Sequence, residues 1–441
     1  MTLVQRTRPL RVRLLLLLAV VGPGIITANV DNDAGGITTY SVAGAHYGYG
    51  FLWIMPLVAL ALIVVQEMSA RLGVVTGKGL ADLIRESLGV RLTALILGIF
   101  LFANLANTVS EFAGVAASME IFGVTKYLSV PVAAVVVWLL IVKANYKWVE
   151  RVFLIASAIY IAYIISGVLA HPEGRAIARA AVSPQLHFDT AYLTLAVTII
   201  GTTIAPWMQF YQQSSIVDKG LKITDYAYER VDVVVGSLFA VAVACFIMIA
   251  CAATIYAHGL RIETAGDAAR ALGPLAGPYA SILFALGLLN ASVFSAAILP
   301  LSTAYVVCEA FGWEAGVNRS FKDARVFFSI YTALIVLGAA IVLLPLKSLI
   351  QTMMASQTLN GVLLPVILIV MLRLVNDKRR MGRWVNGRFF NGLSWAIVIA
   401  LILLTVILVL TSLFPTLLGE YALSRASSGG VAWVLRGGAG G

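Results

Sequence analysis

The chain has 441 residues, of which 60% are apolar and only 12% charged, and its mean hydropathy is +0.94. A soluble chain of this length carries about a quarter charged residues, so the composition excludes a disordered chain, a disulfide scaffold and an ordinary water-soluble enzyme, and predicts a polytopic membrane protein. The net charge of +10 would suggest nucleic acid in a soluble protein, but here the basic residues lie in short segments between apolar runs, so no nucleic-acid partner is expected.

Eleven spans are predicted, approximately Leu14–Tyr40, Phe51–Ala70, Leu92–Ile121, Leu128–Val142, Val152–Ala170, Ala191–Gln213, Val231–Tyr256, Leu275–Ala310, Val326–Leu344, Leu349–Leu372 and Leu393–Leu413. The fourth is short; the others approach or exceed the length that crosses a bilayer at about 1.5 Å per residue. Only helices satisfy their backbone groups in lipid over such lengths, so the class is all-α. Cys245, Cys251 and Cys308 sit inside apolar runs without metal-site spacing and read as buried hydrophobes.

Placing the N-terminal segment, residues 1–13, in the cytoplasm puts 23 of the 31 Lys and Arg in inner segments and 8 in outer ones. That asymmetry predicts an inside N-terminus and, after eleven spans, an outside C-terminus. The Gly- and Ser-rich tail, residues 414–441, is expected to be flexible.

Two spans are interrupted. In the first, Gly22-Pro23-Gly24 is followed by Asn29-Val30-Asp31-Asn32-Asp33-Ala34-Gly35-Gly36. Two carboxylates at membrane depth each cost roughly 2.5–3.5 kcal/mol, and two glycines weaken the helix further. An unwound stretch there frees carbonyls that, with a carboxylate, suit a hard cation; the alternative is that this polar run is the outer mouth of the helix. In the sixth span, Pro206 cannot donate to the backbone and frees a carbonyl near Thr202. If spans one to five (residues 14–170) and six to ten (191–374) are inverted repeats, each begins with a broken helix, the arrangement that marks a midplane ion site. The eleventh helix, 393–413, stands outside both repeats.

At these residues the chain resembles the NRAMP family of divalent-metal transporters, whose fold is the LeuT-type inverted repeat with helices 1 and 6 unwound at the midplane. Gly22-Pro23 precedes Asp33-Ala34-Gly35-Gly36 at the family's spacing, and Gly44-Ala45-His46-Tyr47-Gly48-Tyr49 follows. The resemblance implies that Asp33 is the metal-binding carboxylate, that Val30 and Thr202 supply carbonyls, that Gly36 and Ala205 occupy the positions of the family's Asn and Met ligands, and that Gln357 is a tenth-helix ligand. Trp207 stands where the family has a His, and Glu111 matches an acidic residue implicated in proton movement.

The departures suggest the substrate. Ala205 offers no sulfur, and a thioether is what favours transition metals over Mg²⁺. Gly36 removes a second ligand and is expected to widen the cavity. An all-oxygen, roomy site suits an ion that keeps several waters. The pattern is similar to the NRAMP-related magnesium transporters (the NRMT subgroup), so the expected substrate is partly hydrated Mg²⁺, and also Mn²⁺, moved by alternating access in the inner membrane of a prokaryote by a monomer with no cofactor. His46, His171, His187 and His258 all fall in outer segments, so transport is expected not to be proton-coupled. The alternative is a proton-coupled Mn²⁺/Fe²⁺ NRAMP transporter with a modified site.

Other polar residues carry paired readings. Asn29, Asp31 and Asn32 are either pathway residues that cradle waters or helix caps. Gln209, Gln212 and Gln213 line an inner exit or form a solvated helix end. Asn104 and Asn107 bond across helices, Gln357 and Asn360 share one face, and Met208 has a packing or lipid-facing role. An amino-acid transporter on the same fold is disfavoured because Asp33 would repel the substrate carboxylate, an enzyme because no catalytic motif is present, and a channel because broken helices favour a carrier.

Overall fold

Apolar runs longer than about 18 residues have one stable solution in lipid, the helix, because no other open structure satisfies its own backbone. The computed structural model describes residues 30–143, 157–187, 189–317, 319–345 and 348–413, and among these there is no strand. The principal helices are α1 (Ala34–Tyr47), α2 (Met55–Thr76), α3 (Leu80–Glu120), α4 (Lys126–Val142), α5 (Ile161–Leu169), α6 (Thr190–Thr203), α7 (Pro206–Asp218), α8 (Tyr226–Thr254), α9 (Ala280–Phe311), α10 (Arg325–Leu343), α11 (Leu349–Val375) and α12 (Arg388–Leu413). Eight helical stretches among the described residues are long and apolar enough to cross a membrane, counting α6 and α7 as one, and α4 is a shorter apolar helix. The first and fifth expected spans fall partly outside the described residues, as do Gly22-Pro23-Gly24, Asn29, the segment 1–13 and the tail 414–441.

Local sequence sets the helix ends. Asp33, Asp189 and Ser348 cap α1, α6 and α11 with side-chain oxygens. Gly77 and Gly312 end α2 and α9 in the left-handed conformation that glycine adopts without strain. Gly89, at φ 75° and ψ 170°, kinks α3.

The polarity is inverted relative to a water-soluble protein. Leu95, Phe102, Leu128, Val136 and Leu403 are exposed, whereas Asp31, Asp33, Glu111, Glu229 and Asp232 are buried. Intramembrane carboxylates that face the bundle interior mark functional sites. The chain is a multi-pass membrane protein.

Helix α1 lies at the centre and packs against α3, α6, α8, α9 and α11. Helices α6 and α11 meet backbone to backbone: a Cβ on Gly201 would stand 2.2 Å from the Gln357 carbonyl oxygen, and one on Gly361 2.4 Å from that of Val197. Small residues permit such close approach in membranes. Helix α12 flanks α6 and α11 at the periphery.

Candidate functional site

The chain breaks twice beside α11. Val30 and Asp31 are helical, Asn32 and Asp33 interrupt, and α1 starts at Ala34. The second break falls at Ile204 and Ala205, between α6 and α7, with Pro206 opening α7. Proline suits that first helical position because its missing donor is not needed there.

Asp33 is 4% exposed. Its Oδ1 accepts from the Gly36 amide at 2.6 Å. Gln357 Nε2 donates to Oδ1 and Oδ2 at 3.4 and 3.3 Å. Glu111, fully buried on α3, accepts from the Ala34 amide at 3.3 Å through Oε2. Two expected site carboxyls therefore bracket the first residues of α1. The Asn32 carbonyl accepts from the Tyr160 hydroxyl at 2.9 Å, and Tyr40 and Thr203 hydroxyls join the two broken segments at 2.7 Å.

Gly36 lies where oxygens converge. An added Cβ would stand 2.7 Å from the Asp31 carbonyl oxygen, 3.2 Å from Thr202 Oγ1 and 3.3 Å from Asp33 Oδ1. Carbonyl, hydroxyl and carboxylate oxygens thus stand close around the position that a side chain at 36 would enter. The carbonyl found there is Asp31's; Val30 is buried and helical. Thr202 contributes its hydroxyl to this cluster. Thr202 Oγ1 and both Asp31 carboxylate oxygens are buried and make no hydrogen bond among the described residues. Bare buried oxygens of this kind are the acceptor surplus that a cation satisfies. No three His, Cys, Asp or Glu side chains converge among the described residues.

Ala205 is buried and brings no sulfur. Met208 is also buried, which removes the lipid-facing option and leaves packing. Trp207 fills the core beside Tyr211, and its carbonyl accepts from Ser302 at 3.4 Å. Gln209, Gln212 and Gln213 are fully buried, which corrects the solvated-end reading; Gln213 caps the Lys78 carbonyl at 2.8 Å. His171, His187 and His258 are exposed, and His46 is partly buried at the end of α1. Gln357 departs from expectation in one respect: it turns its nitrogen to Asp33, while its oxygen accepts from Asn360 at 3.0 Å.

A cavity of about 930 Å³ opens at the end of the bundle where α1 and α3 finish, lined in part by His46, Glu120, Lys126, Arg261, Glu263 and Gln351. The opposite end carries a cluster of side-chain contacts. Buried Arg71 pairs with Glu67 at 3.2 Å and donates to the Trp384 carbonyl and to Asn386, while Tyr226 donates to Glu67. These contacts tie α2, α8 and the 377–388 linker together.

Residues 24–411 match the family described as "Natural resistance-associated macrophage protein-like" (Nramp). The chain belongs to the Nramp family. Among curated relatives, the divalent metal cation transporter MntH of Deinococcus radiodurans is 29% identical over 405 residues, 88% of each chain. MntH of Bacillus subtilis is 25% identical over 407 residues, 89% of this chain and 92% of the relative. The fold is shared with a crystallised manganese transporter of Eremococcus coleocola, at TM-score 0.72, 22% identity and coverage of 93% of this chain and 91% of that one. It extends to Mhp1, a nucleobase-cation-symport-1 family transporter solved in a closed conformation, at TM-score 0.57 and 15% identity over 92% and 93% of the two chains. This Nramp protein thus has the all-helical LeuT-type fold.

The sequence did not single out Tyr160, Tyr40 or Thr203, which brace the breaks. Isolated hydroxyls in apolar runs carry no positional signal.

Proposed function

We propose that this Nramp protein is a secondary transporter that takes up divalent metal ions, Mg²⁺ foremost and Mn²⁺ with it. The observation that carries the reading is the convergence of the Asp31 carbonyl, the Thr202 hydroxyl and the Asp33 carboxylate beside Gly36, with Ala205 in place of a thioether. A site made only of oxygen favours a hard dication and gives no advantage to a soft one. Two MntH relatives carry divalent metal cation transport in their names, and this supports the substrate class.

The ion enters from the 930 Å³ vestibule, which lies on the outer side if the Lys and Arg asymmetry sets the topology. It reaches Asp33, where Gln357 and water complete its shell. The opposite end then opens as the two repeats rock about the site. The N-terminus is cytoplasmic and the C-terminus outside, in a prokaryotic inner membrane, and the monomer suffices. Transport is driven by potential: a dication crossing 100 mV gains about 4.6 kcal/mol, or about three decades of accumulation.

One observation favours the second reading, proton-coupled Mn²⁺/Fe²⁺ transport: Glu111 sits one hydrogen bond from Ala34, next to Asp33. Uptake by proteoliposomes under an imposed potential, with internal pH followed at the same time, separates the two. The main reading expects saturable Mg²⁺ uptake without acidification; rejection of millimolar Mg²⁺ or strict proton co-transport overturns it.

A further inference from the structure

Four side-chain amides run from the site into the bundle, each 1% exposed. Gln357 donates both ways to Asp33 at 3.4 and 3.3 Å. Asn360 donates to Gln357 Oε1 at 3.0 Å and to Asn107 Oδ1 at 2.9 Å. Asn107 donates back to Asn360 Oδ1 at 3.1 Å and on to Asn104 Oδ1 at 3.2 Å. Asn104 donates to Thr303 Oγ1 at 2.7 Å and to the Leu299 carbonyl at 3.3 Å. An amide has two N–H donors and one carbonyl oxygen. Every amide of the chain thus has its NH2 group and its oxygen engaged, and the polarity of the whole chain is fixed from α9 through α3 to α11.

The geometry points to a directional lock: Asn360 and Asn107 are positioning residues that hold Gln357 with its NH2 group on the Asp33 carboxylate, so that Gln357 occupies the carboxylate in place of a cation. This deepens the metal-transport reading and rests on it. A neutral amide N–H donor and a metal ion compete for the same oxygens. For Gln357 to become a ligand, its amide must turn over and offer Oε1, which strips Asn360 of an acceptor inside the membrane, where nothing replaces it. Ion entry is thereby linked to rearrangement of α11 against α3. The ion must then displace a neutral, weakly bound competitor rather than a lysine-like charge.

The test is a double-mutant cycle by isothermal titration of Mg²⁺ into the full-length protein in detergent, with Asn360→Leu/Asn107→Leu and Gln357→Leu. Replacing both asparagines by apolar side chains of similar size removes the donor on Gln357 Oε1 without leaving half of the 107–360 pair behind; Asn104 loses the Asn107 donor and keeps its own contacts to Thr303 and Leu299. The expected result is about fivefold tighter Kd when Gln357 is present, equal to about 1 kcal/mol, and no change when residue 357 is Leu. An unchanged or weaker Kd with Gln357 present, or the same change in both backgrounds, overturns the lock. If the paired variant does not fold, Asn360→Ser, which keeps one donor, replaces it, with about twofold tightening expected and the same overturning results. Wild-type protein that binds neither Mg²⁺ nor Mn²⁺, or an Asp33→Ala variant that binds both as well as wild type does, overturns the metal-site reading and the lock with it. Asp33-dependent binding without coupling overturns the lock alone.

Discussion

The carbonyl oxygen of Asp31 lies 2.7 Å from the point where a Cβ on Gly36 would stand. Glycine at that position is what lets the carbonyl and the Asp33 carboxylate face the same small volume. The neighbour is backbone, so it cannot swing aside as a side-chain end does.

Gly36→Asn alone is therefore expected to strain the break and lower Mg²⁺ uptake. Combined with Ala205→Met it restores an amide and a sulfur, and a softer donor set shifts preference toward Mn²⁺ and Cd²⁺. Competition uptake in proteoliposomes reads this directly. A double variant that keeps the wild-type ion ranking would show that ligand hardness does not set selectivity.

Glu111→Gln keeps an oxygen to accept from the Ala34 amide and removes the titratable group. Uptake of Mg²⁺ near the wild-type rate is expected, without change in its pH dependence. Glu111→Ala leaves a buried N–H unpaired, which costs about 1–3 kcal/mol, and should lower both folded yield and uptake. Loss of uptake in Glu111→Gln with intact folding would instead favour proton coupling.

Much of this site is legible in the sequence, and the reason is chemical. Asp31 and Asp33 in an apolar run, followed by Gly35-Gly36, violate the membrane rules so strongly that a broken helix is the economical reading, and the Gly-Pro-to-Asp spacing carries the resemblance. Glu111 and Gln357 are reached through the resemblance as well, and the structure places both against the start of α1. What the sequence does not carry is direction. Asn107 and Asn360 are visible as polar residues on helical faces, but which amide donates to which depends on the rotation of α3 against α11. Likewise the state of the site, with oxygens close around Gly36 and Gln357 on Asp33, is a property of one conformation. Of the two readings open for Gln209, Gln212 and Gln213, burial removes the solvated end, because α2 packs over α7.

The contacts at the end opposite the vestibule give a third prediction. Arg71 and Glu67 form a buried pair supported by Tyr226, Trp384 and Asn386. Removing one partner of a buried pair costs about 3–5 kcal/mol. Arg71→Ala should lower the unfolding temperature and increase labelling of a reporter cysteine placed at Ser214, buried on the same side. Unchanged stability and labelling would mean that the pair does not hold this end together.

Close approach of α6 and α11 supplies a fourth. Gly201→Ala would put a Cβ 2.2 Å from the Gln357 carbonyl oxygen and 2.3 Å from the Gly361 nitrogen. Overpacking of this kind costs about 1–3 kcal/mol or more, and it displaces the segment that carries Gln357. Thermal unfolding should show the loss, and Mg²⁺ affinity should fall further than in Gly98→Ala, where open space meets the new methyl.

The central claim is that Asp33 holds a hard dication among oxygens alone. Isothermal titration of Mg²⁺ into wild type and Asp33→Ala, with Mn²⁺ in parallel, addresses it most directly. Saturable Mg²⁺ binding in the wild type, absent from the variant, is the predicted result. Binding of Mn²⁺ with no heat from Mg²⁺, or equal Mg²⁺ binding in both proteins, would contradict it.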